Sequence, residues 1–187
     1  TENTTGERNT AVGRLALHRN TTASDNTAIG HNCMFANETG DFNTAAGHEA
    51  LDTNTTGSKN CAFGVFALTD NTTGSGNVAI GENCLADNIT ADDNVAIGMD
   101  AMRVNTTGGN NTCVGRDAGL NVTTGSNNTF IGKRAGSNSS PSGTVTTASN
   151  TVCIGDSSVS AAHIQVAFQT GSDKRDKTDI TDFNFGL

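Results

Sequence analysis

The chain has 187 residues, a formal net charge of −8, eight phenylalanines and neither tryptophan nor tyrosine. So few large residues exclude a thick globular core. The acidic charge argues against nucleic acid as a partner, because no basic patch precedes the last sixteen residues. No apolar run approaches the roughly 18 residues of a membrane-spanning helix, so no membrane insertion is expected.

A 17-residue repeat makes up most of the chain. Eight copies run without interruption over 3–138, an insertion at 139–144 holds the only proline, and a ninth copy covers 145–161. A fixed short period is typical of a solenoid or fibre. Asn, Thr and Gly are weak helix formers, and their frequency argues against a helical repeat. The sequence therefore predicts an all-β parallel solenoid (a β-roll or β-helix) of nine coils over 1–161, about 43 Å tall at about 4.8 Å per coil.

Three positions of the repeat barely vary. The third is Thr in all nine copies, the seventh is Asn in eight, and the eleventh is Gly in all nine. An obligatory Gly indicates either a turn with positive φ or a backbone approach too close for a Cβ. The Asn indicates either a left-handed turn residue or a ladder of stacked side chains. The Thr can form a similar ladder.

Positions eight to ten of each copy are predicted to form a strand, as in Val78-Ala-Ile80. Because neighbours in a strand point to opposite faces, Val or Ile lies on one face and Ala on the other. Neither face therefore has the polar residues expected of a surface exposed to solvent. Strands without polar alternation are usually covered on both faces. A thin coil has only one interior, so the other face is expected to pack against further chains, most simply in a parallel homotrimer.

A second apolar step is predicted at positions fourteen and fifteen, as in Ala50-Leu51. Within the repeats, every charged residue except Glu38 falls at positions five, six, twelve, thirteen, sixteen or seventeen. These six positions are the expected outward corners.

The five cysteines replace Ala, Thr or Val of other copies and show neither CxxC pairing nor the spacing of a zinc site. We expect small buried side chains in a chain assembled in a reducing cytoplasm. His18, His31 and His48 lie at corners, and His163 follows the repeats. Their spacing predicts no metal cluster, so neither a metal nor a cofactor is expected.

The repeats resemble two families. Motifs such as Asn77-Val-Ala-Ile-Gly81 resemble the head repeats of trimeric autotransporter adhesins, which are left-handed parallel β-rolls closed as trimers, although that unit is shorter than the 17 residues here. The longer pattern NTTGxxNTAVGxxAL resembles repeats of phage and viral tail-fibre proteins. Both resemblances cover about 3–161, and both imply three assembled chains.

The remaining residues are expected to form a junction and a maturation segment. Residues 162–171 alternate apolar with polar or small residues and predict one closing strand. Residues 172–180 resemble the opening of the endosialidase-type intramolecular chaperone, Ser-Asp-x-Arg-x-Lys-x-x-Ile. That domain ends phage tail fibres and tailspikes, drives their trimerisation and then cuts itself off. The matching residues are Ser172, Asp173, Arg175, Lys177 and Ile180, whereas Asp176 stands where that family usually has Leu.

The resemblance implies a self-cleavage reaction. A serine hydroxyl becomes nucleophilic when a base removes its proton, and a lysine with a lowered pKa can serve. By resemblance, Ser172 and Lys177 are the catalytic dyad, Asp173 and Arg175 support them, and the Ser172–Asp173 bond is cut. Residues 172–187 would be the start of the chaperone, whose body would lie beyond Leu187, so the chain is expected to be no enzyme beyond single-turnover self-cleavage in the full domain. The alternative is a solvated charged linker.

Two functions follow from these expectations. The leading hypothesis is a structural and receptor-binding segment of a trimeric tail fibre, assembled in the host cytoplasm and carried on the virion. Its receptor would be a host cell-surface glycan or outer-membrane component, with Phe42 and Val65-Phe66 as candidate contacts. The alternative is the head of a bacterial trimeric adhesin, which would require a downstream stalk and anchor. A glycosidase is disfavoured, because its two carboxylates must face one cleft and the acidic residues here are scattered over corners.

Overall fold

The computed structural model describes residues 2–137 and 143–160. Each copy of the repeat contributes one strand of three residues. The strands are β1 Thr10–Val12, β2 Thr27–Ile29, β3 Thr44–Ala46, β4 Cys61–Phe63, β5 Val78–Ile80, β6 Val95–Ile97, β7 Thr112–Val114, β8 Thr129–Ile131 and β9 Val152–Ile154. They form a single nine-stranded sheet in chain order, in which every neighbouring pair is parallel. The predicted all-β parallel solenoid is confirmed.

The strands stack in the register of the repeat. Val78 pairs with Val95, its equivalent one copy later, and the same rule holds through the sheet. Between β8 and β9 the register still pairs Thr129 with Val152, although 23 residues separate them there instead of 17. The ninth copy therefore stacks as the others do despite the insertion.

The interior is narrow and built from three apolar positions. Ala at position nine is fully buried in β2 to β6, and position fourteen supplies buried Ala or Cys in the first eight copies. Position fifteen supplies buried Leu or Met in the first six copies. The predicted inward step at fourteen and fifteen is confirmed in the first six copies, whereas Ser158 and Val159 of the ninth copy are exposed. A core of Ala against Leu gives each coil little thickness, so each coil depends on contact with its neighbours.

The seventh and eighth copies show that the side-chain volume inside the coil is conserved between copies. Position fifteen is Gly119 and then Gly136, while position nine of the eighth copy is Phe130, which is fully buried. A Cβ added to Gly136 would lie 2.7 Å from the Phe130 ring, and one added to Gly119 would lie 3.0 Å from it. The ring occupies the space that Leu fills elsewhere, so volume is conserved although the residue types change.

The invariant glycine at position eleven satisfies both predicted reasons. Gly81 has a φ of +137°, a region that favours glycine. A Cβ on Gly81 would also lie 2.6 Å from the carbonyl carbon and oxygen of Gly98 in the next coil. The backbone of successive coils is therefore too close at this column for any side chain.

The Asn at position seven forms a ladder and is not a left-handed turn residue. Each side-chain Oδ1 accepts the backbone N–H of the equivalent Asn in the next coil, over 2.9–3.0 Å. In most copies its Nδ2 donates to the carbonyl at position four of the following copy. These side chains are buried from Asn26 to Asn128, directly before β2 to β8, so the ladder satisfies backbone groups that water cannot reach.

Position one carries a second, unpredicted Asn ladder. From Asn20 to Asn105, each Nδ2 donates to Oδ1 of the preceding copy over 2.7–3.3 Å. The ladder ends where Val122 replaces Asn. Asn105 Oδ1 is accordingly buried without a hydrogen-bond partner in the part of the chain that the structure describes.

The predicted ladder of Thr at position three is wrong. That Thr is exposed in all nine copies. A repeated hydroxyl bond between coils is found instead at position two, where Thr55 and Thr72 donate to the position-two carbonyl of the next copy over 3.0 Å. The side chain at position three points away from the stack, so its hydroxyl cannot reach the neighbouring coil.

Candidate functional site

The outward face of the sheet carries two parallel columns, formed by positions eight and ten of each copy. Alternation along the strand sends Ala79 inward with no exposure and leaves Ile80 39% exposed beside it. Away from the two ends of the sheet, the other large side chains of the position-ten column are 36–46% exposed: Ile29, Phe63, Ile97, Val114 and Ile131. We call these two columns the apolar face. The predicted division between Val or Ile and Ala is confirmed, with the small residue inside.

The apolar face carries no charged residue in any copy. Position eight is Thr, Val or Cys, and position ten is Val, Ile, Phe or Ala. The nearest charged residues lie two positions away along the chain, at positions six and twelve. Lys59 and Glu82 are exposed examples. The position-ten column carries Val, Ile or Phe in eight of the nine copies, and an exposed apolar strip of this kind with a polar rim is typical of an interaction surface. It is the strongest candidate functional surface among the described residues.

Among the described residues, the charged side chains at the corner positions are outward, as predicted, with one exception. Asp117 is only 8% exposed, and its carboxylate lies 3.4 Å from Arg116 and 3.5 Å from Arg134. Of the candidate contacts, Phe42 and Val65 are exposed by 57% and 41%. Phe66 is half-buried, with its ring edge-on to His48.

The cysteines were predicted to be buried, and four of the five are. Burial raises the pKa of the Cys33 thiol to about 11 and that of Cys84 to about 12. Both are therefore weak nucleophiles at neutral pH. Cys61 departs from the prediction: it is half-exposed, because it occupies position eight of β4 and points outward on the apolar face.

Two of the corner histidines come together, contrary to the expectation from spacing. His31 and His48 both occupy position twelve, and their rings stack with centroids 5.2 Å apart. The signal was present in the sequence, because equal positions in consecutive copies become neighbours once the copies stack. His18 instead stacks on Phe35, also at 5.2 Å.

The predicted cleavage residues lie outside the described part of the chain. Ser172, Asp173, Arg175 and Lys177 all fall within 161–187, as does the predicted closing strand. The dyad therefore stays a prediction from resemblance. Within the described residues, no helix has the length and apolar character that a membrane span requires.

Comparison with protein-family models, with curated proteins and with solved structures found no match to this chain.

Proposed function

We propose that the chain is the shaft of a homotrimeric fibre of the phage or viral tail-fibre type, in which the apolar faces of three parallel chains pack against one another. The fibre would be assembled in the host cytoplasm, carried on the virion, and would hold or present a contact to a host glycan or outer-membrane component. The observation that carries this proposal is the uncharged apolar face running the length of the described sheet.

The apolar face needs a long and regular partner. Its rungs repeat at the strand spacing of about 4.8 Å, so nine rungs extend about 38 Å. A second copy of this chain presents the same rungs at the same spacing, and two uncharged faces can meet without repulsion. The exposed Val and Ile side chains of this face are about 40% exposed. Burying them between chains would stabilise the trimer by about 25 cal/mol for each Å² of apolar area removed from water. Three copies is the number that the family resemblance implies.

We predict that a double variant, Ile80→Lys with Ile97→Lys, is monomeric and keeps its fold. These residues adjoin in β5 and β6, and each lysine would place an uncompensated charge in the shared interface, which costs several kcal/mol per buried ion. Light scattering should give about 57 kDa for the wild type, three times 19.1 kDa, and about 19 kDa for the variant.

Ile89→Lys is the matched control. Ile89 is 43% exposed, much as Ile80 and Ile97 are, but it lies at position two and outside the apolar face. We expect this variant to stay trimeric. A monomeric wild type would refute the proposal, and equal dissociation by the Ile89 variant would show that the apolar face is not the interface.

The maturation step is tested separately on the product of the full-length gene. We expect the wild type to lose everything after Ser172 and a Ser172→Ala variant to remain uncut, as measured by intact mass. Lys177→Gln should also remain uncut if it is the base. If the wild type stays uncut and still trimerises, residues 172–180 are a linker, and the head of a bacterial trimeric adhesin becomes the better proposal.

A further inference from the structure

The corner that holds His31 and His48 also holds a carboxylate. His31, His48 and Glu49 each offer a ligand atom, and these three atoms lie within 4.8 Å of one another. The stacked copies create the cluster, since the two imidazoles come from position twelve of consecutive coils and lie nearly parallel, at 16°. Glu49 follows His48 with a φ of +53°, and its Oε1 lies 3.6 Å from His48 Nε2.

We propose that His31, His48 and Glu49 form a surface site for a divalent transition-metal ion of the zinc type. Two imidazoles and one carboxylate are a donor set that Zn²⁺ accepts with a fourth position left open, whereas Mg²⁺ and Ca²⁺ prefer oxygen alone. Ligand atoms around a tetrahedral zinc lie about 3.4 Å apart, as follows from metal–ligand distances of about 2.1 Å. The three side chains are exposed or half-exposed, so they can close that difference by rotation.

The charges nearby favour a cation. Asp52 Oδ1 is buried without a hydrogen-bond partner among the described residues. Burial is the main cause that raises the pKa of Asp52; Glu49 and Asp70 add to the rise, and His31 and His48 oppose it. Carboxylates that disfavour one another's charge gain stability from a bound divalent ion, which offsets their repulsion.

One positive group competes for the site. Arg14, at position twelve of the preceding copy, places Nη1 3.0 Å from Nε2 of His31. Because the guanidinium can only donate, it holds that nitrogen as an acceptor and occupies the lone pair that a metal would need. Removing this guanidinium should therefore strengthen zinc binding at the cluster, whereas zinc bound elsewhere on the chain would be unaffected.

The test is calorimetric titration of the tag-free protein with zinc chloride. We expect one zinc ion per chain, and an affinity loss greater than about 100-fold in the His31→Gln, His48→Gln double variant, since even residues that only support ligands cost about 10–100-fold. Arg14→Gln should bind several-fold more tightly. His18→Gln is the matched control, because His18 is also a corner histidine stacked on a ring but lies outside the cluster, and it should bind as the wild type does.

Absence of saturable zinc binding, or binding that the double variant leaves unchanged, overturns the proposal. Circular dichroism of each variant checks that the solenoid is intact. The inference does not depend on trimer formation, because all the residues belong to one chain and lie beside the apolar face, not on it.

Discussion

Gly81→Ala should destabilise the solenoid by about 3–5 kcal/mol. The φ of +137° at Gly81 is a region that an L-residue enters only at a cost of about 1–3 kcal/mol. The new Cβ would also lie 2.6 Å from the Gly98 carbonyl and 3.0 Å from the Met99 nitrogen, and these are backbone atoms that cannot rotate away. Urea unfolding followed by circular dichroism measures the change.

Because Gly81 lies in the fifth of nine copies, the substitution separates two arrays that contact each other only through adjacent coils. Stability in repeat proteins is close to a sum of repeat and interface terms. We therefore expect the single transition of the wild type to broaden or divide in the variant.

Gly143→Ala isolates the conformational part of this effect. Gly143 has a φ of +77°, but an added Cβ would meet nothing within 4 Å. It should cost about 1–2 kcal/mol, the penalty for a left-handed residue alone. If the Gly81 variant cost no more than the Gly143 variant, the close approach of successive coils would not be the constraint at position eleven.

Asn77→Ala should also cost about 3–5 kcal/mol. The substitution removes the acceptor of the Asn94 N–H at 3.0 Å and of Asn94 Nδ2 at 3.2 Å, and the donor to the Ala91 carbonyl at 2.8 Å. The Ala91 carbonyl still accepts a hydrogen bond from Asn88 Nδ2 at 3.2 Å, so the orphaned groups are the backbone N–H and Nδ2 of Asn94. Both are buried, and each orphaned group costs about 1–3 kcal/mol. The free energy of unfolding in urea gives the total, and amide hydrogen exchange at Asn94 reports the local loss.

Thr73→Ala is the contrasting substitution. The position of Thr73 varies even less among the copies than that of Asn77, yet Thr73 is exposed, and no side-chain hydrogen bond anchors it within the described part of the chain. We expect a change within about 0.5 kcal/mol. A large loss at Thr73, or a small one at Asn77, would contradict the assignment of the ladder to position seven.

The composition of the repeat could not predict the left-handed backbone conformation at position fifteen. Leu51, Leu68 and Leu85 are fully buried with φ between +51° and +57°. Leucine does not favour the left-handed region, which costs about 1–2 kcal/mol. Full burial of a leucine side chain contributes about 1.5–3 kcal/mol, so the packing offsets the strain.

The repeat by itself determined the architecture and the placement of the strands. Identical segments at a constant period must adopt the same conformation and stack in parallel, so β5 and β6 fell where Val78–Ile80 and Val95–Ile97 were predicted. The inward direction of Ala50 and Leu51 and the outward corners followed from the same reasoning. These features depend on local pattern and period, which a sequence displays directly.

Only the tertiary structure decided which face of each strand lies inside. A three-residue strand with Ile on one side and Ala on the other does not state which is buried. The answer depends on how much space Leu85 and its equivalents leave across the coil. The same is true of the position-one ladder, which joins Asn71 to Asn54, and of the His31–His48 pair. Each arises from contacts between residues 17 apart in sequence, whose geometry is set by the stacking of coils and not by neighbours along the chain.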